Sequence, residues 1–249
     1  VQQTTARVCR LYCRVHVAVL ETHNMAAKLK SFLGVGSRRS EELEPVEWTD
    51  IDDKLMQAVK KGSNDKVQSC LRKGANPTKI CPQEGTTSFH QSAIEGKLSV
   101  MKSIIKQGLD INTIDFKGLT ALHCALQNGH PETAEKLLKY GASVTVLDNE
   151  RRSILHHACF GGDINCITLL LSYNVPIDIA DKSGKTALIY AAIHGQASVC
   201  RLLLDHGAKI NDRDSDGNTP LIHASINGHS SLCHYLIDKG ADLSLTDKQ

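Results

Sequence analysis

Thr120-Ala-Leu-His123 is followed six residues later by Gly129, and Gly141 comes twelve residues after that. The same arrangement recurs in steps of 33 residues: Thr87-Ser-Phe-His90 with Gly96 and Gly108, Ser153-Ile-Leu-His156 with Gly162 and Asn174, Thr186-Ala-Leu-Ile189 with Gly195 and Gly207, and Thr219-Pro-Leu-Ile222 with Gly228 and Gly240. An imperfect first copy carries Gly62 and Gly74, offset by one inserted residue. A fixed period of this length is the mark of a stacked-repeat architecture, in which each unit buries its apolar face only against its neighbours.

Each recurring residue has a mechanical role. The Thr or Ser hydroxyl caps a short first helix, and Pro220 suits a first helical position because the donor it lacks is not needed there. Gly129 and its equivalents end that helix where a left-handed residue is required. A second helix follows, as at Glu132–Tyr140, with Ala134, Leu137 and Leu138 on one face. The next glycine stops it. An extended stretch such as Ser143-Val-Thr-Val146 then leads into a turn at Asp148, repeated as Asp115-Phe-Lys-Gly118, Asp181-Lys-Ser-Gly184 and Asp214-Ser-Asp-Gly217. The fold expected is an all-α solenoid of about six helix-turn-helix units with β-hairpin-like turns.

Asp-x-x-Gly-x-Thr-x-Leu-His followed by Gly-Ala-x-Val resembles the ankyrin-repeat family over residues 48–249. That resemblance implies a non-catalytic scaffold or adaptor module that binds a protein partner on its concave side. The start of the array, Glu47-Trp-Thr-Asp-Ile-Asp-Asp-Lys-Leu-Met-Gln-Ala-Val59 and then Pro77-Thr-Lys79, is similar to the ankycorbin and uveal-autoantigen type of ankyrin-repeat and coiled-coil proteins. Those place an array ahead of a long coiled coil and associate with the actin cytoskeleton. The alternative that this implies is a cytoskeletal or membrane-edge structural element, acting through the N-terminal leader and a coiled coil absent from this chain.

Composition agrees with a small-residue core. Only 4% of the 249 residues are aromatic, so Ala, Leu, Ile, Val and Cys must do most of the burying. A net charge of +2 does not point to nucleic acid as a partner. Nine cysteines follow no secretory signal; Cys200 and Cys233 share one repeat position, and Cys124 and Cys159 lie in Ala-rich helical stretches. They are expected to be reduced and mostly buried, in a cytoplasmic and cytoskeleton-associated protein whose array is monomeric.

Residues 1–24 read as sequence lying upstream of a natural start at Met25. Residues 25–47 read as a basic-then-acidic leader, whose Leu29, Phe32 and Leu33 give residues 25–33 a short membrane-contacting option. Asp247-Lys248-Gln249 opens another Asp-x-x-Gly turn, so the array is expected to continue past residue 249.

Candidate chemistry gives way to the repeat at every point. Gly184-Lys185-Thr186 imitates a phosphate-binding loop, but that spacing needs a glycine where Ile179 stands. Asp212-Arg-Asp-Ser-Asp216-Gly217 opens like a calcium loop but has His223 at its twelfth position. His156-His157-x-Cys159 and the His229/Cys233 pair suggest a metal site, yet His90, His123 and His156 belong to the repeat motif, and no Cys-x-x-Cys exists. No catalytic set, cofactor or metal is expected.

Function must then come from residues the repeat does not require. These flank the turns or precede the helix-ending glycines: Phe116 and Leu119, Arg151, Arg152 and Phe160, and Lys182, Lys185 and Ile193. Aromatic residues and arginine are the usual interface anchors, which singles out Phe116, Arg152 and Phe160. Arg151 stands in place of the turn glycine, where a left-handed backbone costs a non-glycine about 1 kcal/mol. Asn174-Val-Pro176 likewise replaces Gly-Ala-x, which makes the fourth copy the most irregular. Asn112 and Asn211 occupy equivalent sites after the second helix, where the resemblance implies asparagine hydroxylation.

Overall fold

The computed structural model describes residues 48–248. The expectations for residues 1–24, the 25–47 leader and the membrane option at 25–33 lie outside the described residues. Within them are twelve helices in six pairs. They are α1 (Asp50–Lys60) with α2 (Asn64–Arg72), α3 (Ser88–Ile94) with α4 (Leu98–Ile105), and α5 (Ala121–Gln127) with α6 (Pro131–Lys139). The remaining pairs are α7 (Ile154–Gly161) with α8 (Ile164–Ser172), α9 (Ala187–Ile193) with α10 (Ala197–Asp205), and α11 (Pro220–Ile226) with α12 (Ser230–Asp238). First helices stack on first helices along the whole array, and second helices form an outer layer behind them. No named strand is present among the described residues; the turns carry isolated antiparallel bridges at Ile80–Thr87 and Ile114–Thr120.

Helices of seven to nine residues, such as α5 and α6, are too short to persist alone. Capping and stacking hold them. The Thr87 hydroxyl accepts from His90 N at 3.2 Å and the Thr219 hydroxyl from Ile222 N at 3.2 Å. The histidine of the motif returns the favour. Thr120 N donates to His123 Nδ1 at 3.2 Å and Ser153 N to His156 Nδ1 at 3.1 Å. A ring nitrogen that accepts from an N–H carries no proton, so both imidazoles are neutral with the proton on Nε2. His156 Nε2 then donates to the Lys185 carbonyl of the following repeat at 2.9 Å, as His90 Nε2 does to Leu119 O at 2.8 Å. Among the described residues, His123 Nε2 makes no equivalent bond to the carbonyl that matches Leu119 and Lys185. Where Ile189 replaces the histidine, the buried Thr186 hydroxyl has no hydrogen-bond partner among the described residues.

The turns are pinned by their aspartates. Asp148 Oδ1 accepts from Glu150 N and Arg152 N at 2.9 and 2.8 Å, and Asp115, Asp181 and Asp214 do the same in their own copies. Successive turns are tied by one backbone bond each: Phe116 N to Gly85 O, Asn149 N to Lys117 O, Lys182 N to Glu150 O, and Ser215 N to Ser183 O. Cys81 occupies the aspartate position of the second copy. The Gly85 N to Cys81 O bond spans one residue more than Gly118 N to Asp115 O, which places the insertion in that turn. Arg151 has φ 60° and Asn174 φ 51°, the left-handed conformation expected where each replaces glycine.

The core is the small-residue mixture that composition requires, with Phe89 its one large fully buried aromatic side chain among the described residues. Leu122, Ala125, Leu137, Leu155, Ala158 and Leu170 are essentially inaccessible, and Leu169 packs on the same core half-buried. Seven cysteines are described and all are free: Cys70, Cys81, Cys124, Cys159, Cys166 and Cys200 are buried, and Cys233 is partly exposed. Burial pushes the Cys166 and Cys200 thiols up to about 12, and those of Cys124 and Cys159 higher still. In a short iodoacetamide pulse on native protein, read peptide by peptide, Cys233 is expected to label first of the seven described cysteines, and the buried six only after unfolding. Rapid native labelling of Cys159 or Cys200 contradicts this packing.

Candidate functional site

The second oxygen of three turn aspartates, Asp148, Asp181 and Asp214, reaches into the first helix that follows. Asp148 Oδ2 accepts from Arg152 Nε at 2.9 Å and His157 Nε2 at 3.0 Å; Asp181 Oδ2 accepts from Tyr190 OH at 2.7 Å; Asp214 Oδ2 accepts from His223 Nε2 at 2.8 Å. His157, Tyr190 and His223 are 33 residues apart, so one repeat position carries a ladder of aspartate-bound rings. Burial alone would raise the Asp148 carboxyl, but hydrogen bonds from His157 and Arg152 outweigh it and hold the group well below the usual carboxylate range. Asp181 and Asp214 are lowered by the same balance, and Tyr190 is pushed up to about 12 by burial and its bond to Asp181.

Above this ladder lies a cluster of side chains from the fourth and fifth repeats. The Arg152 guanidinium stands over the Phe160 ring at 5.7 Å. Phe160 also packs on Tyr190 (centroids 4.8 Å apart), His157 (5.8 Å) and His194 (6.0 Å). Arg152 and Phe160, singled out from sequence, are therefore one unit. A cation over an aromatic face contributes about 0.5–1 kcal/mol when partly exposed, which orders both side chains without burying them. Ile193 is half-exposed at the position equivalent to Phe160, and its carbonyl accepts from His229 Nε2 at 3.0 Å. Lys185 is also half-exposed, with Nζ 3.5 Å from Asp214 Oδ2 in the next repeat. Lys182 is exposed and 3.6 Å from Glu150, an arrangement that contributes little in water.

One residue departs from the sequence reading. Leu119 is no surface anchor: only 8% of it is exposed and it belongs to the core. It shares the position of Arg152 and Lys185, where a polar chain runs out to solvent and a leucine folds inward. Phe116 is 37% exposed on the turn where the sequence places it, one repeat before Arg152 and Phe160, and its Cβ borders Gly85. Tyr190, His157 and His194 were not among the expected site residues. The signal for the first two was a comparison of equivalent positions, since Cys124, His157, Tyr190 and His223 stand nine residues after successive turn aspartates.

The paired asparagines have a structural occupation. Asn112 Oδ1 accepts from Ser143 N at 2.8 Å, Asn211 Oδ1 from Asp242 N at 3.0 Å, and Asp178 Oδ1 from Lys209 N at 3.2 Å, each one repeat ahead. At the equivalent Thr145 the matching residue is Pro176, which has no N–H to give. Among the described residues, no group of three or more His, Cys, Asp or Glu side chains is placed to hold a metal ion, and no helix is long and apolar enough to cross a membrane.

The chain is similar to the uveal autoantigen with coiled-coil domains and ankyrin repeats. It is 39% identical to the Bos taurus protein over 71 residues and 40% identical to the Homo sapiens protein over 68. These matches cover 28% and 27% of this chain and 5% of each relative's length. It is also 37% identical over 67 residues to the Homo sapiens Notch-regulated ankyrin repeat-containing protein, which covers 26% of this chain and 59% of that one. The family model for ankyrin repeats in three copies matches twice, over residues 55–148 and 155–247, in agreement with the six helix pairs. Ankyrin repeats are generally protein-interaction modules, and the chain belongs to the ankyrin-repeat family.

Proposed function

We propose that the chain is a scaffold or adaptor module whose concave face takes a protein partner at the fourth and fifth repeats, with Arg152 and Phe160 as anchors and Tyr190, Ile193 and His194 beside them. The observation that carries this is the Arg152–Phe160–Tyr190 cluster. The position of Phe160 is Gln127 in the preceding repeat and an exposed Ile226 in the last, so the fold does not require an aromatic ring there. A large ring held in place by a cation, at a position where the repeat accepts glutamine, is a preorganised interface anchor.

Truncating such an anchor should lower partner affinity by about 2 kcal/mol or more, roughly thirtyfold. The comparison is Phe160→Ala and Arg152→Ala against Lys248→Ala, by partner affinity and melting temperature, with the partner captured on the intact array. Phe160→Ala is expected to weaken binding while changing stability much less than the loss of a buried core side chain would. If Phe160→Ala leaves affinity untouched, the groove is not the site.

A further inference from the structure

The turns carry a second surface that the groove does not include. Ile80, Ile114 and Leu147 each stand one residue before the position that begins the turn, held by Cys81, Asp115 and Asp148. They are 42%, 51% and 36% exposed. Side chains alternate along an extended segment, so Ile114 and Phe116 share the face opposite the buried Asp115. Ladder bonds between successive turns set these positions side by side along the array.

The repeat supplies its own control. The equivalent residues of the fifth and sixth copies are Ala180 and Arg213, so folding accepts a methyl group or a guanidinium there. Three large apolar side chains at that position in three consecutive copies are not dictated by stacking, and such a row is the composition of a contact surface.

The charges beside the row have one sign left over. Lys60 pairs with Glu84, Lys79 with Asp52, and Lys182 with Glu150. Lys117 and Arg151, both exposed in the turns that follow Ile114 and Leu147, make no ion pair among the described residues. Arg151 holds its place in a left-handed backbone that glycine would adopt without strain.

We propose that this turn-edge row docks an extended segment of a partner protein in which apolar residues alternate with carboxylates: the apolar side chains lie on Ile80, Ile114 and Leu147, and the carboxylates meet Lys117 and Arg151. This surface is separate from the Arg152–Phe160 groove and does not depend on it.

The test is selection of short peptides from a random display library on the intact chain, followed by affinity measurement of the selected peptides. Selected sequences are expected to be rich in Asp and Glu spaced between Leu, Ile or Phe. The double variant Ile114→Ala/Leu147→Ala, which installs the residue of the fifth copy, should weaken them roughly tenfold or more with the melting temperature nearly unchanged. Arg151→Gly should raise the melting temperature and still weaken binding severalfold, a split that a purely structural residue would not give. Phe160→Ala should leave these peptides bound. Basic peptides, no selected peptides, undiminished binding to the double variant, or a large fall in its melting temperature each overturn the proposal. Loss of binding in Phe160→Ala alone assigns the peptides to the groove and overturns it as well.

Discussion

Gly161→Ala is expected to destabilise the array, although the same exchange in an unobstructed helix stabilises by about 0.5–1 kcal/mol. Gly161 is the last residue of α7, and a Cβ built there meets Leu126 O at 2.6 Å and Gln127 O at 2.8 Å, at the end of α5. Those are backbone atoms, so no side-chain rotation relieves the contact. The two helices must part, and the layer they share buries Ala125, Leu126 and Ala158 completely. Overpacking of this kind costs about 1–3 kcal/mol, enough to reverse the sign of the propensity gain. Every other copy carries a side chain at the same position (Glu95, Asn128, His194, Asn227), so the close approach is particular to the fourth repeat. The measurement is the urea midpoint of Gly161→Ala against the parent chain. An unchanged or higher midpoint contradicts the close approach of α5 and α7.

Periodic spacing made the architecture legible because every apolar face in a solenoid is covered by a copy of its own unit. Helix boundaries, the capping hydroxyls and the left-handed Arg151 and Asn174 all follow from residues that recur at a fixed interval. Directions of side chains within the turns were less accessible. Leu119 and Arg152 share one register position, and only packing decides that the leucine turns inward while the guanidinium reaches Phe160. Register already separates Phe116, on a turn, from Phe160, ahead of a helix-ending glycine. What it does not convey is that Phe160 packs on Arg152 and Tyr190 while Phe116 borders Gly85 one repeat earlier. Tyr190 was missed for another reason: its repeat position reads as a core site in the third copy, where Cys124 is buried, and becomes polar only when the aspartate it bonds is considered. The close pass at Gly161 left a trace as Gly161-Gly162, where other copies carry a single glycine, but its cause is a neighbouring backbone and so is visible only in three dimensions.

Acidification from pH 7 to 5 is expected to weaken the fold well before its carboxylates titrate. His90, His123 and His156 are wholly buried, and burial lowers the pKa of each, to about 3 for His123. Geometry gives the same direction, since Nδ1 of His123 and His156 accepts a backbone N–H and has no room for a proton. The unfolded chain takes up protons near pH 6.5 and the folded one does not, so the unfolded state binds more protons and stability rises with pH. Each neutral histidine therefore contributes its full stability above about pH 6.5, and that contribution is lost as the pH falls from there towards the folded value. The slope is about 1.4 kcal/mol per pH unit, so His123 alone removes about 2 kcal/mol by pH 5, and His90 and His156 act in the same direction. Asp148, Asp181 and Asp214 are held below their ordinary range. Their contribution is complete above about pH 4 and is lost only as the pH falls further, so it is constant across this window. Urea midpoints at pH 7 and pH 5 should therefore differ strongly in the parent chain. His123→Gln should lose stability at pH 7 and show a visibly shallower fall between the two values, because glutamine takes up no proton. Equal parental midpoints at pH 7 and 5, or a fall that His123→Gln leaves unchanged, would show that these imidazoles are not held neutral by the stack.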